Sequence, residues 1–451
     1  MSEKAFEPKA TLVMDHARSL GADQSAVRIV RAQDIEVVIR NDDLDLAQVS
    51  TNQSLQVRLY LGGRLGVFST SDLRESALKE FVSRGVEFTR ALSSDPHIGL
   101  PDPHRYPSLP APKLDIYDSN VLNCRPEACI SRAKSLINHA REIAQLEKLA
   151  LINTTGRTGI EVKHELITAS NGLLVTSQRT ECYAGCGVAI QDTANEDKRR
   201  RGWWGVIGTN FKSLGDDKHD KHTALKAMER CARNLGATPG PTVAVPVIVE
   251  NVAARKFVNA MIMALNGTAL YRKNSYLADM KNKPVASSVL ELQDDPLLPG
   301  ALGSRWYDSE GVERQPMVVI QAGILKNYYL DTYHSRALNL SPTIGSSSNL
   351  VLKPNTNMGC EKLIETMDKG MVITQFLGGN FNSATGQFSY GIAGLWVENG
   401  KVVRPVEGMN VSGNYTELWN NLIKVGNDPY PYSRIRTPSL MFSKLSLSGN
   451  S

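Results

Sequence analysis

Residues 55–70 read LQVRLYLGGRLGVFST. Leu55, Val57 and Leu59 alternate with Gln56, Arg58 and Tyr60, so an extended segment here has one apolar face. Gly62-Gly63 then supplies two residues without a Cβ where the chain can reverse, and residues 65–68 resume the extended pattern, which predicts a β-hairpin. Upstream, residues 27–30, 35–39 and 44–49 carry the same β-branched or alternating apolar residues. Residues 10–21 place Leu12, Val13, Ala17 and Leu20 on one side of a helix stopped by Gly21, and residues 75–92 give a second helical pattern. Meandering strands flanked by two helices predict an α+β domain over residues 1–95.

Six prolines at 96, 101, 103, 107, 110 and 112 forbid regular structure and mark a linker at 96–114. A middle α+β domain is expected over 115–237. It has a helix at 126–146, strands within 149–177 turned at Asn171-Gly172, and a helix at 223–235 ending at Gly236. The break Thr238-Pro239-Gly240-Pro241 opens the third part, 238–451. It begins with a buried strand at 243–249 and a helix at 252–265, and continues as glycine-punctuated strands. The stretch 370–397 has no charge, but Gly378-Gly379-Asn380, Gly386 and Gly391 suit strands and tight turns, not a membrane span. With no 20–50-residue period to indicate a solenoid or propeller, the fold class is α+β, with a large, predominantly antiparallel β C-terminal domain.

The chain has 451 residues, with 51 Lys+Arg against 46 Asp+Glu. A net charge of +5 over this length is too weak to imply nucleic acid. Residues 1–9, MSEKAFEPK, lack the apolar run of a signal peptide, so a cytoplasmic protein is expected, with its six cysteines reduced.

Candidate chemistry is sparse. His164-Glu165 opens a zinc-type H-E signature, but no second histidine follows at helical spacing and the segment alternates like a strand. Cys182/Cys186 and Cys124/Cys129 lack the closer C-x-x-C spacing of structural zinc sites. Residues 216–222, DDKHDKH, read as a solvated loop capping the next helix through Asp220. Residues 198–204, KRRRGWW, could serve phosphates and bases, although salt bridging or a packed Trp pair is the better reading. There is no Walker A loop, dinucleotide fingerprint or nucleophile elbow. The helix at 252–265 carries Phe257, Val258, Met261, Ile262, Met263 and Leu265, so it should pack almost all round.

Several phrases in fixed order resemble one family: STSDL at 69–73, Asp95-Pro96, YRKNSYL at 271–277, DSEGV at 308–312, TGQFSYGIAGLWVENG at 385–400, Pro405-Val406, Gly413-Asn414 and VGND at 425–428. Together they look like the TldD/PmbA family, in its TldE (PmbA) branch. That resemblance implies a TldD–TldE heterodimer enclosing a proteolytic chamber for unfolded peptides, including antitoxins and modified-peptide precursors. In the TldD subunit a helix bearing H-E-x-x-x-H and a late cysteine hold zinc. Counted back from Arg272-Lys273, that motif falls here on Asn259, Ala260 and Ala264, and no cysteine follows Cys360. The expectation is therefore a partner without catalytic or metal residues of its own, zinc residing in a TldD-like subunit. Arg272, Glu310, Gly378, Gly379, Thr385 and Ser389 are the candidates for lining the chamber or touching peptide. Two other readings stand beside it: a nucleic-acid or gyrase-associated regulator using residues 198–204, and a hydrolase with an unfamiliar metal site at His164, Glu165, Cys182 and Cys186.

Overall fold

The computed structural model describes residues 6–108 and 110–449. Residues 1–5, part of the segment on which the expectation of a cytoplasmic protein rests, lie outside the described residues.

The first half of the chain runs α1 (Glu7–Ser19), β1 (Gln24–Arg40), β2 (Asp43–Leu61), β3 (Arg64–Thr70), α2 (Glu75–Arg90), α3 (Pro126–Leu146), β4 (Leu151–Ala169), β5 (Leu174–Gln191), β6 (Arg199–Gly208) and α4 (Asp217–Ala232). The hairpin predicted from residues 55–70 forms, with Leu61 opposite Arg64 and both turn glycines at positive φ, 53° and 73°. Two left-handed residues in a two-residue loop match the twist of the flanking strands.

The sequence pattern underestimates the strands. Residues 27–30 and 35–39 belong to one 17-residue strand, β1, and residues 44–49 and 55–60 to one 19-residue strand, β2. The ladder runs unbroken from Arg31↔Gln53 to Asp34↔Ser50, where polar side chains hide the continuity from an apolar-pattern search.

More consequentially, β1 also pairs with β4, from Ala26↔Ala169 to Arg40↔Thr155. The strand order is β3-β2-β1-β4-β5-β6, so residues on both sides of the 96–114 linker share one sheet and are not two independent domains. All four helices cover the same face. Val27 and Ile29 pack beneath α1 and α2, and Ile35, Val37 and Ile39 beneath α3 and α4.

The C-terminal part begins with β7 (Thr238–Pro239), β8 (Val243–Val249), α5 (Asn251–Ala264) and α6 (Gly267–Tyr271). A smaller unit follows, with β9 (Leu292–Asp294), β10 (Met317–Gln321), β11 (Ile324–Leu325), α7 (Thr332–Ala337), β12 (Leu350–Leu352) and α8 (Cys360–Glu365). The chain closes with β13 (Lys369–Phe381), β14 (Gln387–Glu398), β15 (Lys401–Asn414), α9 (Tyr415–Asn420), β16 (Leu422–Val425), β17 (Ile435–Arg436) and β18 (Leu440–Gly449). The main sheet has the order β16-β18-β8-β13-β14-β15-β7, and an added β15–β18 pairing curls it toward closure. The uncharged stretch 370–397 is the β13–β14 hairpin. Among the described residues no helix is long and apolar enough to cross a membrane.

Helix α5 is held by Phe257, whose fully buried ring meets Phe376, Phe388, Tyr390, Tyr415 and Phe442 at centroid distances of 5.2–6.3 Å. It does not pack all round as its composition predicted. Met263 is 54% exposed, and Arg255, Lys256 and Asn259 form an open face. The charge at 255–256 and the amide at 259, four residues on, fix that face.

Candidate functional site

The open face of α5 borders a cavity of about 1080 Å³. One wall is the sheet surface that α3 and α4 leave uncovered, presented by Thr155, Gly187, Ala189, Arg199, Arg201 and Trp203. The others are Arg230, Arg233 and Asn234 at the end of α4, then Thr374, Gln375 and Phe376 of β13, and Ser433, Arg434 and Ile435 at β17.

Strand alternation divides the basic run. Arg199, Arg201 and Trp203 face the cavity, while Arg200, Gly202 and Trp204 face α4 or the C-terminal sheet. Arg200 is buried against Asp192 and Glu407, and Lys198 also grips Glu407. Trp204 packs edge-on to Tyr430 at 5.6 Å, with the Arg230 guanidinium 5.5 Å from its ring centroid. Half of the run is thus structural, through the salt bridging and Trp packing expected of it, and half is displayed in the cavity.

Glu250 precedes α5 and receives Arg233 through both guanidinium nitrogens, at 2.8 and 3.1 Å, and Arg230 at 2.9 Å. Burial opposes its ionisation, but these hydrogen bonds and charges outweigh burial and hold the carboxyl below its ordinary value.

The remaining sequence candidates are scattered. Asn259 lies on the cavity, its amide 3.8 Å from the Met263 sulfur, whereas Ala260 and Ala264 are buried in the core. Arg272 is exposed where α6 ends. Glu310 accepts the Thr332 N–H at 2.9 Å near the β1–β2 end of the sheet, its carboxyl raised by burial. Gly378 and Gly379, at φ 134° and 115°, Ser389 opposite Asn380, and Thr385 in the turn continue along the β13–β14 hairpin beyond the cavity-lining Phe376.

His164 and Glu165 sit on adjacent positions of β4 and so point to opposite faces. Glu165 is taken by Arg28 at 2.7 Å and by the Tyr307 hydroxyl at 3.3 Å. Cys182 and Cys186 are buried beneath the helices, and burial pushes both thiols up to about 12. This group does not converge on a metal. Asp220 is not the helix cap either. Helix α4 starts a turn earlier, capped by Asp216 in a reciprocal box with His219, and Asp220 is buried against Arg132 at 2.7 Å.

Residues 242–449 match the family described as PmbA/TldA metallopeptidase C-terminal domain, and residues 25–88 match PmbA/TldA metallopeptidase domain 1. A solved structure from Bacteroides thetaiotaomicron is 32% identical, covers 100% of both chains and superposes with a TM-score of 0.92. The chain belongs to the PmbA/TldD family. The Bacteroides protein's description proposes a role as a modulator of DNA gyrase. A Metalloprotease PmbA homolog of Haemophilus influenzae is 27% identical across 99% of this chain and 97% of its own length. TldE from Thermococcus kodakarensis, 18% identical over 98% of this chain and 100% of its own, has the same fold with a TM-score of 0.84.

A metallopeptidase family raises the question of a metal. Zinc takes imidazole nitrogens, thiolates and carboxylates. At the three positions of α5 where the resemblance would put a zinc motif the side chains are Asn259, Ala260 and Ala264, and the adjoining cavity residues Arg255 and Lys256 are cations. Among the described residues no three His, Cys, Asp or Glu side chains stand together in a way that could hold a metal ion. The residues on α5 do not fit zinc.

Missing from the sequence reading were Arg230, Arg233, Glu250, Arg255 and Arg434. Arg230 in the last turn of α4 and Arg233 just after it sit three apart, one available signal, and Arg255-Lys256 is the one charged pair in a mostly apolar helix, another.

Proposed function

We propose that this PmbA/TldD-family chain is the TldE-like, zinc-free subunit of a heterodimeric metallopeptidase acting on unfolded peptides, antitoxins and modified-peptide precursors among them. A TldD-like partner supplies the zinc and the base that activates water, and the complex works in the cytoplasm. One observation carries the reading: α5 borders a large cavity, yet presents Arg255, Lys256 and Asn259 there and no zinc donor. Hydrolysis by zinc needs three protein ligands and a group to take the proton of the bound water. This helix would instead wall the chamber and hold substrate.

The test is to purify the chain alone and together with a TldD-like partner, then to measure zinc content and cleavage of an unfolded peptide. The expected result is zinc and cleavage only when the partner is present. Stoichiometric zinc and peptide hydrolysis by the lone chain would overturn the proposal.

A further inference from the structure

Among the described residues the cavity beside α5 is lined by eight Arg or Lys side chains and by no Asp or Glu. Three of the eight are neutralised from outside the lining: Arg40 by Asp45 at 3.0 Å, and Arg230 and Arg233 by Glu250. The other five, Arg199, Arg201, Arg255, Lys256 and Arg434, have no carboxylate partner among the described residues. Lys256 lies over the face of Tyr390, with its ammonium 4.9 Å from the ring centroid. In a chain of net charge +5 that carries 46 acids, five unpaired cations converging from β6, α5 and the approach to β17 are a local concentration. Their mutual repulsion is relieved when an anion enters, and concave walls focus the field that draws it in.

The backbone beside them indicates what kind of anion. β13 pairs with β8 over Met371–Ile373, so from Gln375 onward its edge away from β14 carries no strand among the described residues, and Gln375 and Phe376 line the cavity. An unpaired strand edge hydrogen-bonds an extended polypeptide backbone, and phosphodiester has no equivalent donor and acceptor row to match it.

We propose that this cavity is a binding site for acidic segments of extended polypeptide, with Arg199, Arg201, Arg255 and Arg434 receiving side-chain carboxylates and the β13 edge receiving the backbone. The inference rests on the peptide-handling reading above and adds a substrate class to it.

The experiment uses the full chain and fluorescence anisotropy with three probes: a labelled peptide of alternating Glu and Gly, the same peptide with Gln for Glu, and a thymidine single strand of equal length. The Glu peptide should bind, weaken steeply with added salt and exceed the Gln peptide by about tenfold or more, the scale of one or two charge-assisted hydrogen bonds. The pair R255Q/R434Q should erase that difference. Both side chains are exposed, and unchanged circular dichroism and melting temperature would certify the fold. The pair R199Q/R201Q on β6 gives an independent second reading should the first variant not fold. Equal binding of the Glu and Gln peptides would overturn the proposal, as would tighter binding of the thymidine strand, which would assign the cavity to nucleic acid. Neither outcome depends on zinc or on a partner, so the heterodimer reading is tested separately.

Discussion

Arg200 and Glu407 stand 207 residues apart in sequence, yet the guanidinium of the one holds the carboxylate of the other, with Nη2 at 3.3 Å and Nη1 closer still. The same Arg200 donates from Nε to the buried Asp192 at 2.7 Å, so one cation ties β6 to β15 across the boundary between the two halves of the molecule. Arg200→Ala would leave the buried Asp192 without its cation and Glu407 with Lys198 alone, and losing one partner of a buried ion pair costs about 3–5 kcal/mol. The denaturation midpoint should fall accordingly, and Arg200→Lys should restore only part of it, because an ammonium cannot match the planar fork.

A pH dependence follows from the same cluster. For both Asp192 and Glu407 burial opposes ionisation. Hydrogen bonds from Arg200 outweigh it, aided by Lys198 for Glu407 and by the Ala194 and Gly236 N–H groups for Asp192, and hold both below their ordinary values. Carboxyls depressed on folding contribute stability above their unfolded pKa, and that contribution disappears as pH falls through the folded values. Wild-type protein should therefore lose this increment only below about pH 4. In the Arg200→Ala variant burial still opposes ionisation without Arg200 to offset it, so the acid-side loss should shrink or reverse and the gap to wild type should narrow as pH falls, as read by thermal melts across pH 3 to 7.

Helix α4 lies so close to β6 that a Cβ on Gly202 would come 2.1 Å from the Ala227 carbonyl oxygen and 2.7 Å from the Cys231 backbone nitrogen. Backbone cannot swing aside as a side chain can. Gly202→Ala should destabilise by about 1–3 kcal/mol or more. Gly413→Ala, whose Cβ would find ordinary contacts at 3.5 Å, should be close to neutral. Equal melting temperatures for the two variants would contradict this packing.

Writing zinc donors into α5 should fail for a packing reason. Asn259 faces open space, but Ala260 and Ala264 are 4% and 0% exposed in the core around Phe257. Ala264→His would force an imidazole into a filled site at about 1–3 kcal/mol. The triple variant N259H/A260E/A264H should melt earlier and retain no stoichiometric zinc by elemental analysis.

Cys124 and Cys129 place their sulfurs 3.9 Å apart, and the hydrogen bond from Cys129 brings the half-exposed Cys124 thiol down to about 7. Cys182, Cys186 and Cys231 are fully buried, with thiols raised to about 12, 12 and 11. Iodoacetamide should modify Cys124 first, with a rate rising through pH 7. Cys129→Ala should shift that rise upward, as peptide mass spectrometry would record. Modification of Cys182 before Cys124 would refute the ordering.

What the sequence revealed was local. Alternation and a Gly-Gly pair located the β2–β3 hairpin, and Pro126 at the first turn gave α3 its boundary, Pro126–Leu146. It did not reveal that Val37 lies beside Thr158, because an apolar pattern says which face a strand buries and nothing about which strand lies beside it. The same limit governs the cavity. Arg199, Arg255 and Arg434 are unremarkable singly, and only the fold brings them to one wall. Asp220 misled because several residues in 216–222 can cap a helix, and the choice of Asp216 rests on its reciprocal bond with His219.

The pairing of β1 with β4 has a bearing on how the protein is made. At a synthesis rate of about 5–20 residues per second, a ribosome needs on the order of ten seconds between completing Arg40 and completing Thr155, its eventual neighbour. For that interval the central strand of the nascent sheet has one flank bare, and a bare flank is an invitation to stick to other chains. A fragment ending near residue 95 keeps that vulnerable flank permanently, so it should precipitate on expression instead of behaving as a module.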